Sequence, residues 1–361
     1  MMQLRIFARL AISVAALAGC ATDESDTLTT DTAFLSCAPW VCGSNSPIVD
    51  NYGFHDLNAN GLRNEGGFEL VRVARGGANY DIRVRAAEIY LFPKTAGGSV
   101  IRGTAVKDAV LIVRQRTTGA RYEIEIAEVL KTPMWAKLPG EPIPSIFTYQ
   151  FRWRVEGSTG HSRNVCSNPG SESEPGMDAF HTIVFEGDRI DEIRKRDVRV
   201  DTDWFNLGCA GSATSKLQLT GHTEAAKVLG YVTTLDERTT MLKMLTGDYC
   251  GTGEPFTVPG QPLRWRDDNG WMTYSSLTNR IEAHWGPNGA TCLDTPRLNA
   301  NPTPAGIDTF GEDDVLPNMR PIINSACATP IPRCTVFSPS PGGGPVSTPG
   351  ITSHLVSANP T

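Results

Sequence analysis

Cys250, His284 and Asp248 are the residues whose types could form a nucleophilic site. A cysteine hydrolase needs a thiolate, a histidine within hydrogen-bond reach and a third group that orients the imidazole, and these side chains supply all three types. The cysteine stands in the stretch LTGDYCGTG, directly after a predicted helix. A helix N-terminus favours a thiolate, whereas the partial negative charge of a C-terminus disfavours it. The position of Cys250 therefore favours a disulfide over a nucleophile.

A second set of side chains suggests calcium chemistry. Asp56, Asn58 and Asn60, followed by Gly61, copy the opening of an EF-hand loop, with oxygen ligands at alternate positions and a glycine for the turn. The twelfth position, where a bidentate glutamate should stand, is Gly67. Without that carboxylate the loop is short of ligands. We therefore favour a polar turn between strands and expect no metal ion.

A carboxylate, an imidazole and an indole adjoin one another in IEAHWG, which begins at Ile281. An acid beside a tryptophan resembles part of a glycosidase site, where a second carboxylate would come from Asp267, Asp268 or Asp294. Period-two alternation instead predicts a strand with Ala283 and Trp285 buried and with Glu282 and His284 exposed. No glycine motif for a nucleotide phosphate is present, so we expect no cofactor.

The N-terminus has the features of an export signal. Arg5 and Arg9 precede an apolar run that is too short to span a bilayer, and the run ends in Leu-Ala-Gly-Cys at Cys20. That ending resembles a bacterial lipobox, which implies cleavage before Cys20 and attachment of acyl chains to it. We predict a lipoprotein signal peptide over residues 1–19 and a polar tether over 20–46. The residue after Cys20 is Ala21 rather than an aspartate, which resembles lipoproteins that are sorted to the outer membrane.

Eight further cysteines follow Cys20, and an even number in an exported chain indicates disulfides. No pair has the C-x₂-C spacing of a zinc site. The short intervening loops favour bonds from Cys37 to Cys42 and from Cys327 to Cys334, which leaves three pairings for the central four: Cys166, Cys209, Cys250 and Cys292.

Alternation predicts a mainly β (α+β) protein. The stretches YDIRVR, RYEIEI and FTYQFRWRV place apolar residues on one face, as in antiparallel strands, and Gly76-Gly77 and Thr118-Gly119 suit hairpin turns between strands. We predict a β-rich domain over residues 47–180, either a sandwich or a partly open barrel. A disulfide-stapled domain over residues 181–300 follows.

The second domain contains one clear predicted helix. Thr234 and Glu237 match a capping box, and Gly247 suits the helix end. After residue 301 the chain is rich in Pro, Gly, Ser and Thr, and we predict disorder after about Phe337.

Charge argues against a nucleic-acid partner, because the chain carries a formal net charge of -6. The one basic run, residues 194–196, is flanked by Asp191, Glu192 and Asp197. We predict that this mixed-charge stretch is a solvated strand or turn.

Three segments carry a family resemblance: WFNLGCAGSATSKLQLTGH, MLKMLTGDYCGTGEPFTVPGQPLRW and IEAHWGPNGATCLDTPRL. Together they resemble the ADYC domain family, a group of secreted or lipid-anchored bacterial proteins that is common in myxobacteria and has no assigned activity. Asp248, Tyr249 and Cys250 match the family motif, and Gly247 replaces its alanine. The resemblance extends from Phe185 to Arg297. It favours a bond between Cys250 and Cys292, which leaves Cys166 to bond with Cys209.

These observations predict a lipid-anchored cell-envelope protein. The leading hypothesis for its function is a non-catalytic binding or structural lipoprotein on the surface of the outer membrane. Its expected partners are the membrane, through the anchor, and an unknown surface or periplasmic molecule. The alternative is a secreted hydrolase that acts on peptide or glycan, for which Cys250, His284 and Asp248 are the residues to test.

Overall fold

The computed structural model describes residues 46–166, 180–257, 264–267, 269–271, 281–297, 319–334 and 355–358. The predicted signal peptide, nearly all of the tether, the lipid-attachment residue Cys20 and the predicted Cys37–Cys42 bond lie outside these ranges.

Eleven of the described strands form one antiparallel sheet, and two short strands, β1 (Ile48–Val49) and β2 (Tyr52–Gly53), pair beside it. The eleven strands are β3 (Asp56–Asn58), β4 (Phe68–Arg75), β5 (Ala78–Arg85), β6 (Glu88–Pro93), β7 (Ile101–Arg102), β8 (Val110–Gln115), β9 (Arg121–Pro133), β10 (Ser145–Val155), β11 (Arg163–Asn164), β12 (Thr182–Asp191) and β13 (Arg196–Cys209).

The order of the large sheet is β3-β13-β12-β10-β9-β8-β4-β5-β6-β7, with β11 paired to β10. The predicted mainly β, antiparallel fold is confirmed. In the described residues no ladder joins β3 to β7, so the sheet stays open rather than forming a closed barrel. The ladder between β10 and β12 carries the sheet across the predicted domain boundary at residues 180 and 181.

The open sheet curls around an apolar core. Ile82, Tyr122 and Phe151 are buried there, as the period-two pattern of β5, β9 and β10 predicts, and Ile89 of β6 joins them. The curl brings distant strands together: the backbone N–H of Ile89 on β6 donates to the hydroxyl of Tyr149 on β10 over 2.9 Å. Leu57 of β3, at one end of the strand order, and Leu91 of β6, near the other, belong to the same buried cluster.

Three α-helices are described: α1 (Ala213–Leu219), α2 (Leu235–Thr246) and α3 (Arg320–Ala326). Two short 3₁₀ turns cover Gly103–Val106 and Ala225–Leu229. Helix α2 is the predicted one, and it begins with the predicted capping box of Thr234 and Glu237. Gly247 ends it in the left-handed region at φ 64°, a conformation that favours glycine. No helix among the described residues is long and apolar enough to cross a membrane.

A second sheet joins four strands in the order β14-β17-β15-β16: β14 (Arg264–Asp267), β15 (Ile281–Gly286), β16 (Gly289–Leu293) and β17 (Leu355–Ala358). The prediction of disorder after about Phe337 is therefore wrong for β17. This segment pairs with both β14 and β15. The composition of this segment favoured disorder. It gave no sign of the hydrogen bonds to the backbone of β17, because the strands that supply them lie far away in sequence.

Three disulfides are described, and they correct part of the predicted pairing. Cys166 bonds to Cys209, as expected. Cys250 bonds to Cys327, and Cys292 bonds to Cys334. The predicted bonds from Cys250 to Cys292 and from Cys327 to Cys334 are therefore wrong.

The packing of the segment after α3 explains these two bonds. The N–H of Leu293 donates to the carbonyl of Pro332 over 2.9 Å, which places Cys334 beside β16. Arg320 at the start of α3 donates to the carbonyls of both Leu293 and Ile331. Short sequence separation favoured the bond from Cys327 to Cys334. The long-range contacts instead place each of the two cysteines beside a different partner.

Candidate functional site

The family motif follows α2, and its aspartate is held by a lysine of that helix. Lys243 and Asp248 are both buried, and Nζ of Lys243 lies 2.6 Å from Oδ2 of Asp248. Lys243 also donates to the carbonyls of Arg194 and Gly251, so three acceptors match the three hydrogens of its ammonium group. The same Asp248 oxygen accepts the N–H of Gly253 over 2.8 Å. Asp248 therefore fixes the turn that follows the helix.

Tyr249 forms a second buried contact group. Its hydroxyl donates to Oε1 of Glu282 on β15, and the same carboxylate oxygen lies 2.6 Å from Nε of Arg297. The ring of Tyr249 stacks on Trp285 with centroids 5.0 Å apart. Burial and the neighbouring Glu282 carboxylate raise the pKa of Tyr249 well above its usual range. The tyrosine is therefore a neutral hydrogen-bond donor that ties the turn to β15.

The prediction that Glu282 is exposed is wrong, because its side chain is fully buried with Ala283 and Trp285. Strict alternation fails here, since the register of β15 against β17 shifts between Ile281 and Ala283. An irregularity of this kind re-aims side chains along a strand. It lets the two consecutive residues Glu282 and Ala283 both be buried.

The glycines after the motif are required by close backbone contacts. A Cβ on Gly253 would lie 1.9 Å from the carbonyl oxygen of Ile193, and one on Gly251 would lie 2.0 Å from that of Asn288. The first contact joins the motif turn to the loop between β12 and β13, and the second joins it to the turn between β15 and β16. LTGDYCGTG is therefore a junction at which several elements meet.

The three residues proposed for a hydrolase are each bound to different neighbours. The Cys250 sulfur is in the bond to Cys327, so it has no thiol to ionise. Asp248 is paired with Lys243. His284 lies on β15 opposite Cys292, and its ring is close to the Cys292 and Cys334 sulfurs. Those two sulfurs are joined to each other, so this group is a disulfide beside a histidine rather than a metal centre.

The three residues of the weak calcium candidate also have protein partners. Asp56 is in an ion pair with Arg189, and the side-chain oxygen of Asn58 accepts the N–H of Asn60 over 2.8 Å. The Asn60 oxygen accepts a hydrogen bond from Arg83 over 3.0 Å. Burial raises the pKa of Asp56 to about 6, with Arg189 opposing the shift. The interpretation as a polar turn agrees with this geometry.

A further charged cluster surrounds Arg238, whose side chain is 3% exposed. Its Nη1 lies 2.6 Å from Asp188 and 3.1 Å from Glu224, and its Nε lies 3.3 Å from Asp197. The two aspartates belong to β12 and β13, so the cluster fastens α2 to this strand pair. Three carboxylates thus share one buried guanidinium.

The cluster contains more carboxylates than one cation can neutralise. Burial and the adjacent Asp188 carboxyl raise the pKa of Asp197 to about 9. Two carboxylate charges in one buried cluster disfavour each other, so one of the two carboxyls holds a proton. Asp197 therefore carries that proton at neutral pH.

Sequence reasoning missed Arg238, Lys243 and Arg297, and it placed Asp197 in a solvated stretch. The stretch is a turn leading into β13 with Arg194 and Arg196 exposed, as predicted, but the prediction is wrong for Lys195 and Asp197, which are both buried. Seven consecutive residues of α2 are buried, and they include Arg238, Lys243 and two threonines. Charged residues are rarely buried unless paired. The pattern along the helix gave no sign of the partners, which lie on distant strands.

Comparison with known protein families assigns the chain, including the LTGDYCGTG turn, to a family. The family model described as the ADYC domain matches residues 103–299, more than half of the chain. This chain belongs to the ADYC domain family. The match begins upstream of the three segments that carried the resemblance and takes in much of the large sheet. No curated protein and no solved structure matches the chain.

In this ADYC domain protein the motif letters have three distinct structural roles. Asp248 binds Lys243, Tyr249 binds Glu282, and Cys250 bonds to Cys327. Gly247, which replaces the alanine, ends α2. The motif thus connects α2 to β15 and to α3 through an ion pair, a hydrogen bond and a disulfide.

Replacing Asp197 by asparagine should reduce the pH dependence of the ADYC domain's stability. Asp197 binds its proton more tightly in the folded protein, at a pKa of about 9, than in the unfolded chain, at about 3.9. Its contribution to stability is therefore fully present below about pH 4 and is lost as the pH rises towards 9, by at most about 1.4 kcal/mol per pH unit. Asparagine does not titrate, so the variant lacks this pH-dependent contribution.

Urea unfolding at pH 5, 7 and 9 measures this effect. The free energy of unfolding of Asp197→Asn, relative to that of the parent, should increase at each higher pH, because only the parent loses the contribution of the Asp197 proton. Asp201→Asn is the control, because Asp201 is a more exposed aspartate of the same strand. A difference between Asp197→Asn and the parent that stays constant from pH 5 to 9 would contradict the raised pKa of Asp197.

Proposed function

We propose that this ADYC domain protein is an exported cell-envelope protein, anchored through acylated Cys20, whose folded part has a non-catalytic binding or structural role. The observation that carries the non-catalytic role is the state of the family motif. Its cysteine is in a disulfide, and its aspartate and tyrosine are buried and bound. A motif used in this way determines the shape of the protein and leaves surfaces elsewhere for a partner.

The export signal and the disulfides support the envelope location. The lipobox-like ending at Cys20 supports lipid attachment, and Ala21 after it supports sorting to the outer membrane. Disulfides persist in oxidising compartments such as the periplasm, and this chain has three in its described part. Several acyl chains, each CH₂ contributing about 0.8 kcal/mol, hold a protein stably on a membrane.

Expression of the full chain and of Cys20→Ser in a two-membrane bacterium tests the anchor. The parent should fractionate with the outer membrane, and mass spectrometry should find an acylated N-terminal Cys20. The serine variant should be released in soluble form because serine offers no thiol for acylation. A parent protein that is soluble and unmodified would refute the anchor.

His284→Ala tests the non-catalytic role. The parent is screened against peptide and glycan substrates, and we expect no hydrolysis that depends on His284. Loss of a measured hydrolytic activity in His284→Ala, at an unchanged melting temperature, would establish an enzyme instead.

A further inference from the structure

The outward face of β5, β6 and β7 carries an unusual set of side chains. Ile82, Val84, Ile89 and Leu91 of these strands point into the apolar core, so their neighbours in sequence point to the opposite face. The cross-strand register places Arg83 and Arg102 on either side of Tyr90. The full set on this face is Asp81, Arg83, Arg85, Glu88, Tyr90, Phe92 and Arg102.

Four flat groups on this face form a continuous row. The rings of Tyr90 and Phe92 are stacked, with centroids 6.4 Å apart and planes inclined by 20°. The guanidinium of Arg102 lies 5.7 Å from the Tyr90 centroid, and that of Arg85 lies 5.6 Å from the Phe92 centroid. Each end of the row is therefore an exposed guanidinium positioned over an aromatic ring. Such contacts hold the side chain in place and leave N–H groups to donate outwards.

The polar groups in the middle of the row extend this pattern. Arg102 donates to the Tyr90 hydroxyl over 3.2 Å, and that hydroxyl donates to Glu88 over 3.2 Å. The Asp81 carboxylate at the margin is 3.0 Å from Lys94 and is neutralised by it. Three arginines then face one unneutralised carboxylate, in a chain whose net charge is -6. The face is a local cationic surface on an acidic protein.

We propose that the row of Arg85, Phe92, Tyr90 and Arg102 binds an acidic polysaccharide. Its carboxylates match the guanidiniums, which form charge-assisted and often bidentate hydrogen bonds to such groups. Its hydroxyls can form hydrogen bonds with the Tyr90 hydroxyl and can donate to the Glu88 carboxylate. An ionised phosphate or carboxylate has no hydrogen to donate to Glu88. Its ring C–H groups match the aromatic edges between the two arginines. This inference supplies the partner class for the proposed binding role and so rests on it.

A membrane surface fits the same row less well. Binding in a bilayer interface requires apolar side chains that enter the acyl boundary, whereas Tyr90 and Phe92 are only partly exposed and are flanked by charged groups. The residues of the face also lie on paired strands, which hold their backbone in place. A pre-formed row loses little conformational entropy on binding a long polymer.

Binding to polygalacturonate, a linear polymer of a uronic acid, tests the proposal. Calorimetry at low salt uses the mature protein carrying Cys20→Ser, with dextran as the neutral polymer. We expect the protein to bind polygalacturonate and not dextran. Arg85→Ala with Arg102→Ala should weaken binding by about tenfold or more, since each removes a charge-assisted contact. The double variant Tyr90→Ala, Phe92→Ala should also weaken binding. If a double variant does not fold, the single variant Arg102→Gln replaces it in the binding measurement and should weaken binding as well.

Arg121→Ala with Arg154→Ala is the matched control. These two arginines are similarly exposed on the same sheet, each in an ion pair with a glutamate, and their loss changes the net charge by the same amount. An equal loss of affinity in this control would reduce the binding to a general charge effect and overturn the proposal. So would the absence of polygalacturonate binding, or tighter binding to phosphatidylglycerol vesicles than to the polymer. None of these results alters the outcome of the Cys20 and His284 tests, so the two proposals fail separately.

Discussion

Replacing Arg238 by methionine is expected to lower the free energy of unfolding by about 3 to 5 kcal/mol. Removal of one partner from a buried ion pair costs this much because the remaining charge stays buried without compensation. Here the loss leaves Asp188 and Glu224 without their shared cation, at distances of 2.6 and 3.1 Å from the missing guanidinium nitrogen. Methionine keeps most of the side-chain volume, so packing contributes little to the effect.

Arg154→Met is the matched control for this prediction. Arg154 also forms a close ion pair, at 2.6 Å from Glu123, but its side chain is 44% exposed. An exposed pair contributes only about 0 to 1 kcal/mol. Urea unfolding of both variants at neutral pH, with the disulfides intact, gives the comparison. If Arg238→Met is no less stable than Arg154→Met, then the cluster does not fasten α2 to the strand pair as described.

The double variant Cys250→Ser, Cys327→Ser is expected to lose about 4 kcal/mol of stability. A cross-link stabilises chiefly by restricting the unfolded chain, and the effect grows with the number of residues enclosed. The bond from Cys250 to Cys327 has a sequence separation of 77. Changing both cysteines avoids a single free thiol that could form a new bond.

Two measurements check this prediction. Unfolding under oxidising conditions gives the loss, and unfolding in a strong reductant should remove the difference between variant and parent. A difference of the same size in the reductant would assign the effect to packing of the sulfur atoms. Non-reducing peptide mapping must also recover Cys250 linked to Cys327, and a peptide linking Cys250 to Cys292 would contradict the connectivity.

The local patterns in the sequence predicted the local structure well. Alternation in YDIRVR and RYEIEI predicted β5 and the first part of β9, because a strand with one buried face needs an apolar residue at every second position. The capping box at Thr234 and the glycine at residue 247 predicted both ends of α2, because those side chains and that backbone conformation satisfy helix ends locally. The family followed from a motif of contiguous residues.

The same patterns failed wherever a partner was distant. Glu282 was predicted to be exposed, yet it is buried against Tyr249 and Arg297. Asp197 was predicted to be solvated, yet it is buried beside Arg238 of α2. A charged residue in a sequence is expected on the surface, since burial without a partner is costly. Only the tertiary structure shows that a partner is present.

The sequence by itself thus predicted several strands and the capped helix, which depend on residues close together in the chain, and three contiguous segments pointed to the ADYC family. The tertiary structure decided which cysteines bond, where the last strand pairs and what the motif does. The physical reason is that a disulfide, an ion pair or a β-ladder depends on proximity in space. Folding brings residues 250 and 327 together, whereas their positions in the chain do not.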